Sequence, residues 1–190
     1  MSSLPEVHRR ALDATAQIVD RIDAGQLDHP TPCESYDVRG LLNHVVSGNW
    51  WVQPLVQGTT IAEVGDKYDG DLVDDDPSGA YRASAAAAAD AFEAEGAMQA
   101  PVGVSYGPVP GEVYAGHRLI DVLIHGWDLA VATGQERTLD PELVEACWDV
   151  VRPQAEMLKG SGAFGTEVSV ADDADSQTRL LALLGRRADR

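Results

Sequence analysis

The sequence predicts an all-α protein: a helical bundle with short additional helices and little strand. Three observations carry this. Apolar residues recur at helical spacing through several long segments. Oxygen-bearing side chains mark helix starts, as at Asp37, Asp76-Pro77 and Asp140-Pro141. Glycines follow most of the periodic segments and end them. Four long helices with short additions can bury their apolar stripes only against one another, hence the bundle.

The first helix is expected over about 4–24, where Leu4, Val7, Ala11, Ala14, Ile18 and Ile22 form one stripe and Gly25 stops it. Residues 25–36, with HPTPC, form a turn-rich connection. Asp37 caps a second helix running to about Gln57, with Leu41, Leu42, Val45, Val46, Val52 and Val56 on its apolar face. Segment 58–76 is long and acidic. It fails the calcium-loop pattern D-x-[DN]-x-[DN]-G and is expected as a solvated loop. Pro77 opens a third, alanine-rich helix carrying Tyr81, Ala85, Ala88 and Phe92, ended by Gly96. The prolines and glycines of 97–112 forbid helix and leave a loop or a short two-stranded element. A fourth helix runs from about Val113 to Thr133. A fifth starts at Pro141, with a kink or break expected at Pro153. Segment 160–171 is glycine-rich and then extended, and a last helix covers about 174–185. The expected organisation is one domain over 1–190, its extension of about 160–190 packing on the bundle.

Charge narrows the partners. The 14 basic and 31 acidic residues give 14 − 31 = −17. Phosphate backbones and anionic lipid surfaces are held by concentrated lysine and arginine, so neither nucleic acid nor a membrane is an expected partner. The start, MSSLPEVHRR, lacks a signal-peptide apolar core, and no run approaches the ~18 apolar residues of a membrane span. Two cysteines, Cys33 and Cys147, make no disulfide framework. The expected location is the cytoplasm. Oligomeric state is not fixed by sequence; a homodimer stays open.

The fourth helix carries the chemistry. In GHRLIDVLIHGWDLAVATG, His117, Asp121 and His125 recur at spacing four, and Asp128 continues the row. That spacing sets side chains on one face. Leu119, Ile120, Val122, Leu123, Ile124 and Leu129 surround them, and polar groups buried in such a helix need partners. One metal ion satisfies several at once. The second helix adds His44, whose helical neighbours Gly40, Ser47 and Gly48 are small and clear space around its imidazole. If the two helices face each other, His44, Asp121 and His125 supply two histidines and a carboxylate to one ion and leave positions open, the mark of a catalytic site. The alternative is a satisfied core or edge histidine and a chance D-x-x-x-H spacing.

His117 lies two turns before His125, about 12 Å along the axis, so it is not expected to share their ion. Arg118 is a candidate to orient Asp121 or hold an anionic substrate, or else forms a surface ion pair. Trp51 and Trp127 are candidate pocket walls, with core packing as the other reading. Cys33 is read as a bystander thiol rather than a nucleophile. His8 and His29 have no partner pattern and are read as surface residues. No G-x-S-x-G elbow and no phosphate-binding loop occurs.

Taken together, TPCESYDVRGLLNHVV, D-x-x-x-H-G-W-D-L-A-x-A-T-G and SQTRLLALLGR resemble the DinB/YfiT-like metalloenzyme superfamily. The branch resembled is that of the N-terminal domain of mycothiol-dependent maleylpyruvate isomerase, over nearly the whole chain. The resemblance implies an up-down-down-up four-helix bundle with a divalent metal at one end. The family's histidine on the second helix falls on His44, and its paired ligands on a later helix fall on Asp121 and His125. Many relatives have histidine or glutamate where this chain has Asp121. The isomerase carries a sterol-carrier-like second domain that these 190 residues do not include, so maleylpyruvate itself is not the expected substrate. Characterised relatives use a low-molecular-weight thiol such as mycothiol or bacillithiol.

The expected function is therefore a divalent-metal-dependent, thiol-dependent S-transferase or isomerase acting on a small electrophile. His44, Asp121 and His125 would hold the metal, Asp128 would fix a histidine tautomer, and Arg118, Trp51 and Trp127 would border the pocket. No protein nucleophile is needed. Zinc is the first expectation; nickel, iron and manganese tolerate the same ligands. The partners are a small-molecule substrate and the thiol. The alternatives are a metal-dependent hydrolase, with water in place of thiol, and a non-catalytic metal- or ligand-binding stress-response protein.

Overall fold

Helix starts in this chain are set by short polar side chains that take up otherwise unpaired backbone N–H groups. The computed structural model describes residues 2–155 and 166–188. Ser3 and Glu6 form a capping box at the head of α1 (Leu4–Val19). Asp37 Oδ1 accepts from Gly40 N at 2.7 Å to open α2 (Val38–Val56). Thr60 and Glu63 do the same for the one-turn α3 (Ile61–Val64), inside the segment expected to be loop throughout. Asp76 caps α4 (Pro77–Glu93) through Gly79 N at 2.9 Å.

The proline- and glycine-rich stretch resolves as an antiparallel hairpin, β1 (Pro101–Val104) and β2 (Gly107–Pro110), in register Pro101↔Pro110. It feeds directly into α5 (Gly111–Ala132), which starts two residues earlier than the sequence predicts. The reason lies in the preceding turn. The N–H groups of Gly111 and Glu112 donate to the carbonyls of Ala100 and Met98 at 2.9 Å, so no side-chain cap is needed. Only glycine fits at 111, since a Cβ there would lie 1.9 Å from the Ala97 carbonyl oxygen.

α1 is shorter than expected, ending at Val19 rather than near 24. Asp20 turns away to pair with Ser78 and Arg82 of α4, and Gln135 Nε2 donates to the Ile18 carbonyl at 3.0 Å. A short 3-10 turn over Ala24–Gln26 follows.

Residues 1–135 form one compact unit and 136–190 a second. In the first, α1 packs on α4 and α5, and α2 packs on the same two helices. α5 is the most enclosed element, with 16 of its 22 residues buried. Trp127, Tyr81, Phe92, Leu41, Leu42 and Leu123 fill the space between helices. Each large apolar side chain taken from water contributes about 1.5–3 kcal/mol. α1 and α5 approach closely at Gly126, where a Cβ would stand 2.4 Å from Thr15 Oγ1. The acidic loop is clamped along α2 by residues one turn apart. Arg39 binds Asp71 (2.6 Å), Asn43 bonds Gly70 O and Leu72 N, and Ser47 bonds Tyr68 O.

In the second unit, α6 (Pro141–Val151) passes into a 3-10 turn at Arg152–Gln154, the break Pro153 imposes. It packs against α7 (Ser176–Leu183), and Trp148 Nε1 donates to Ser176 O at 3.1 Å. Burial pushes the Cys147 thiol up to about 12. Residues 160–165 and 189–190 of the expected extension lie outside the described residues. Among the described residues, no helix is long and apolar enough to cross a membrane.

Candidate metal centre

α5 crosses the interior with a polar stripe on one face, and α2 brings His44 against it. The Nε2 of His44 lies 3.3 Å from Asp121 Oδ1, and the Nε2 of His125 lies 3.5 Å from the same oxygen. The two imidazoles meet edge to face, centroids 5.1 Å apart at 88°. One ligand atom from each of His44, Asp121 and His125 lies within 4.8 Å of the others. The cluster is graded in exposure. The His125 side chain is 6% exposed, Asp121 16% and His44 37%, so the site opens on the His44 side.

Each member is fixed by a second contact. The Arg118 guanidinium, itself buried, donates Nη1 to Asp121 Oδ2 at 2.9 Å and Nη2 to Asn49 Oδ1 at 2.9 Å. That leaves Asp121 Oδ1 facing the imidazoles. Asp128, fully buried, lies 3.0 Å from His125 Nδ1 and takes its N–H, turning Nε2 toward Asp121. Tyr36 stacks on His44, centroids 5.4 Å apart.

Electrostatics follow from these contacts. Burial alone would push the Asp121 carboxyl up. Arg118, His125 and His44 outweigh it and hold the group well below the usual carboxylate range. Burial would push His125 down. Asp121 and Asp128 overcome that and raise it to about 9.

The donor set fits a small divalent cation. With ligand distances of about 2.1 Å, neighbouring donors on a tetrahedron are about 3.4 Å apart. The observed separations from Asp121 Oδ1 to the two Nε2 atoms, 3.3 and 3.5 Å, bracket that value. An ion there would have to displace the proton that Asp121 and Asp128 favour on His125. Two imidazoles in their neutral form and one carboxylate suit zinc, iron, nickel or manganese.

Other singled-out residues fall differently. His117 lies apart from the cluster, its Nδ1 bonded to the Tyr106 hydroxyl at the hairpin tip. Trp51 lines a cavity of about 370 Å³ beside the cluster, together with Leu55, Val104, Tyr106, Tyr114 and Arg118. Trp127 does not line it: it is 1% exposed and packs in the core. His29 is at the surface as expected, but His8 is not. It is fully buried edge-on to Phe92, neither ring nitrogen has a hydrogen-bond partner, and burial pushes it down to about 3. Sequence reasoning treated it as polar by type, although it lies four residues from both Leu4 and Leu12.

The small residues around His44 also serve other neighbours. A Cβ on Gly48 would stand 2.3 Å from Arg118 Nη1, so that glycine makes room for the guanidinium rather than the imidazole. A Cβ on Gly40 would meet Asp37 and Tyr36. Sequence reasoning missed Tyr36 and Asn49, and Cys33, read as a bystander thiol, lies with His125 and Asp128 in a group within 4.8 Å. The available signal was the tight turn before α2. There Thr31 Oγ1 donates to the carbonyls of Cys33 and Tyr36, folding that loop back on itself.

The decisive comparison is with a family model. Residues 8–130 match the mycothiol maleylpyruvate isomerase N-terminal domain. The chain belongs to that family. The match falls within the first compact unit and includes all three members of the cluster. An uncharacterized protein of Mycobacterium tuberculosis, Rv0738 in strain H37Rv and MT0763 in strain CDC 1551, is 38% identical over 189 residues, covering 94% of this chain and 95% of that protein. No solved structure matches the chain. As a member of the mycothiol maleylpyruvate isomerase N-terminal domain family, the protein pairs its helical fold with a cluster of side chains, built on two of its helices, that could hold a metal ion.

Proposed function

We propose that His44, Asp121 and His125 hold one divalent metal ion, zinc by preference, and that the protein is an enzyme using a low-molecular-weight thiol of the mycothiol type. It transfers that thiol to a small electrophile or isomerises the electrophile through it. We read α1, α2, α4 and α5 as the family's four-helix bundle, with residues 136–190 as an extension of one domain. The partners are the substrate and the thiol, and the compartment is the cytoplasm. The observation that carries the reading is the convergence of two imidazole nitrogens on one carboxylate oxygen, at 3.3 and 3.5 Å, at a partly open position.

A bound cation supplies Lewis acidity that brings the pKa of a neighbouring thiol toward neutrality. The rest belongs to the chain. Arg118 holds Asp121 ionised and turned toward the imidazoles. Asp128 holds the Nδ1 N–H of His125, which turns Nε2 toward Asp121, where it would meet an ion on losing its own proton. The open side at His44 admits the reactants, and the largely apolar cavity beside Arg118 offers a surface for the body of the substrate.

Metal analysis of the purified protein tests the site. About one ion per chain is expected, lost in His44→Ala and His125→Ala; full loading of both variants overturns the ligand set. Turnover of a model electrophile with and without thiol tests the chemistry. Thiol-dependent loss supports transfer, turnover without thiol assigns a hydrolase, and ligand-induced stabilisation without turnover assigns a binding protein.

A further inference from the structure

The cavity beside the cluster is lined on one side by α2, on another by α5 and on a third by the hairpin. Trp51, Leu55, Val104, Tyr106 and Tyr114 supply most of its large apolar walls. Its size, about 370 Å³, is that of a small-molecule site. Large flat side chains on several walls suit a flat, apolar molecule.

The charge inventory is more discriminating. Among the described residues that line the cavity, Arg118 is the one cation. Its Nη1 is engaged by Asp121 at 2.9 Å, and its Nη2 by Asn49 at 2.9 Å and the Val45 carbonyl at 3.5 Å. Its Nε makes no hydrogen bond and is shut off from solvent. The guanidinium lies against Gly48, and the side chain is only 9% exposed. Arg118 is therefore committed to Asp121, and the cavity offers no cation to an incoming anion. A carboxylate placed there would give up water with no cation to pair with, in a chain of net charge −17.

We propose that this cavity binds the body of the electrophile and selects for an uncharged, flat, apolar molecule, rejecting substrates that carry a carboxylate. The inference rests on the reading of the neighbouring cluster as the reactive centre, and it deepens that reading by naming the substrate class. It excludes dianionic dicarboxylates of the maleylpyruvate kind for this chain.

The test compares two probes of nearly the same shape, cinnamamide and cinnamate. Binding is followed by quenching of tryptophan fluorescence and by saturation-transfer NMR. The full-length chain is used as purified and after dialysis against a chelator, so that a carboxylate binding to metal is separated from the cavity's own preference. Cinnamamide is expected to bind at least tenfold more tightly than cinnamate in the dialysed protein. Trp51→Ala should weaken cinnamamide several-fold. Ser105→Arg and Ile61→Arg each add a cation at the rim, on exposed side chains that carry no packing burden. Either should narrow the tenfold gap by strengthening cinnamate. Cinnamate binding as tightly as cinnamamide in the dialysed protein, or no saturable cinnamamide binding, overturns the proposal. Metal content is measured on the same samples. Absence of metal binding with the probe preference intact sinks the metal centre and leaves the cavity assignment standing, so the two failures are distinguishable.

Discussion

Gly48 is the most constrained position near the centre, because the Arg118 guanidinium occupies the space a methyl group would need. Gly48→Ala should displace the guanidinium, leave Asp121 unanchored and cost roughly 1–3 kcal/mol of stability with a weakened metal site. Urea unfolding and calorimetric metal titration of the variant check both effects; an unchanged titration would show that Arg118 does not position Asp121. Asp128 acts one step further out. Asp128→Asn is expected to lower metal affinity about 10- to 100-fold while leaving the fold intact. Cys33→Ser should leave loading unchanged, since Cys33 lies near His125 and Asp128 and outside the proposed ligand trio. Competition with a chromophoric chelator measures all three variants. At this scale His44, Asp121, His125 and Asp128 were legible in the sequence because helical spacing alone sets the last three on one face of α5. The partner of Gly48 was not, because a contact between residues 48 and 118 leaves no trace in local spacing.

Elements were legible to the extent that their ends are encoded locally. Asp37, Asp76 and Asp140 each cap a helix at the expected place. The start of α5 was misplaced because its cap is a set of backbone carbonyls from residues 98–100, which no side-chain pattern announces. The buried face of α1 was misjudged in a more instructive way. Val7, Ala11, Leu12, Thr15, Ala16 and Val19 are enclosed, and His8 sits in the middle of them. A histidine kept neutral in the fold and free to protonate when unfolded makes stability depend on pH. Its folded value is near 3 against an ordinary 6.5. Below 6.5 the unfolded chain binds the extra proton, so stability contributed by the neutral ring is complete above 6.5 and lost as pH falls toward 3. The slope is at most about 1.4 kcal/mol per pH unit. His8→Leu should remove that component. Urea unfolding of both proteins between pH 4 and 7 checks it; parallel curves would show that His8 protonates without cost.

At the scale of the whole molecule, 31 acidic residues against 14 basic ones repel one another across the surface. Raising salt from about 20 to 200 mM shrinks the Debye length several-fold. The midpoint of thermal unfolding is expected to rise by roughly 2–4 °C, equivalent to about 1 kcal/mol for a chain of this size. A midpoint that falls with salt would mean that the exposed ion pairs, such as Arg9 with Asp90 and Glu93, outweigh the net repulsion.

The pairing of His44 with Asp121 joins positions 77 residues apart. Between them the chain passes through the acidic loop, all of α4 and the hairpin. A chain held at two such points, by an ion or by hydrogen bonds alone, forfeits several kcal/mol of unfolded-state disorder, since closing a loop costs more as its length grows. The same cluster that would perform chemistry is thus a knot in the topology. A fragment ending before α5 carries His44 without its companions, and α5 alone presents Asp121 and His125 without the imidazole that closes the set. Ligand geometry in this protein is a property of the assembled chain, and its appearance during folding would report that distant halves of the first unit have met.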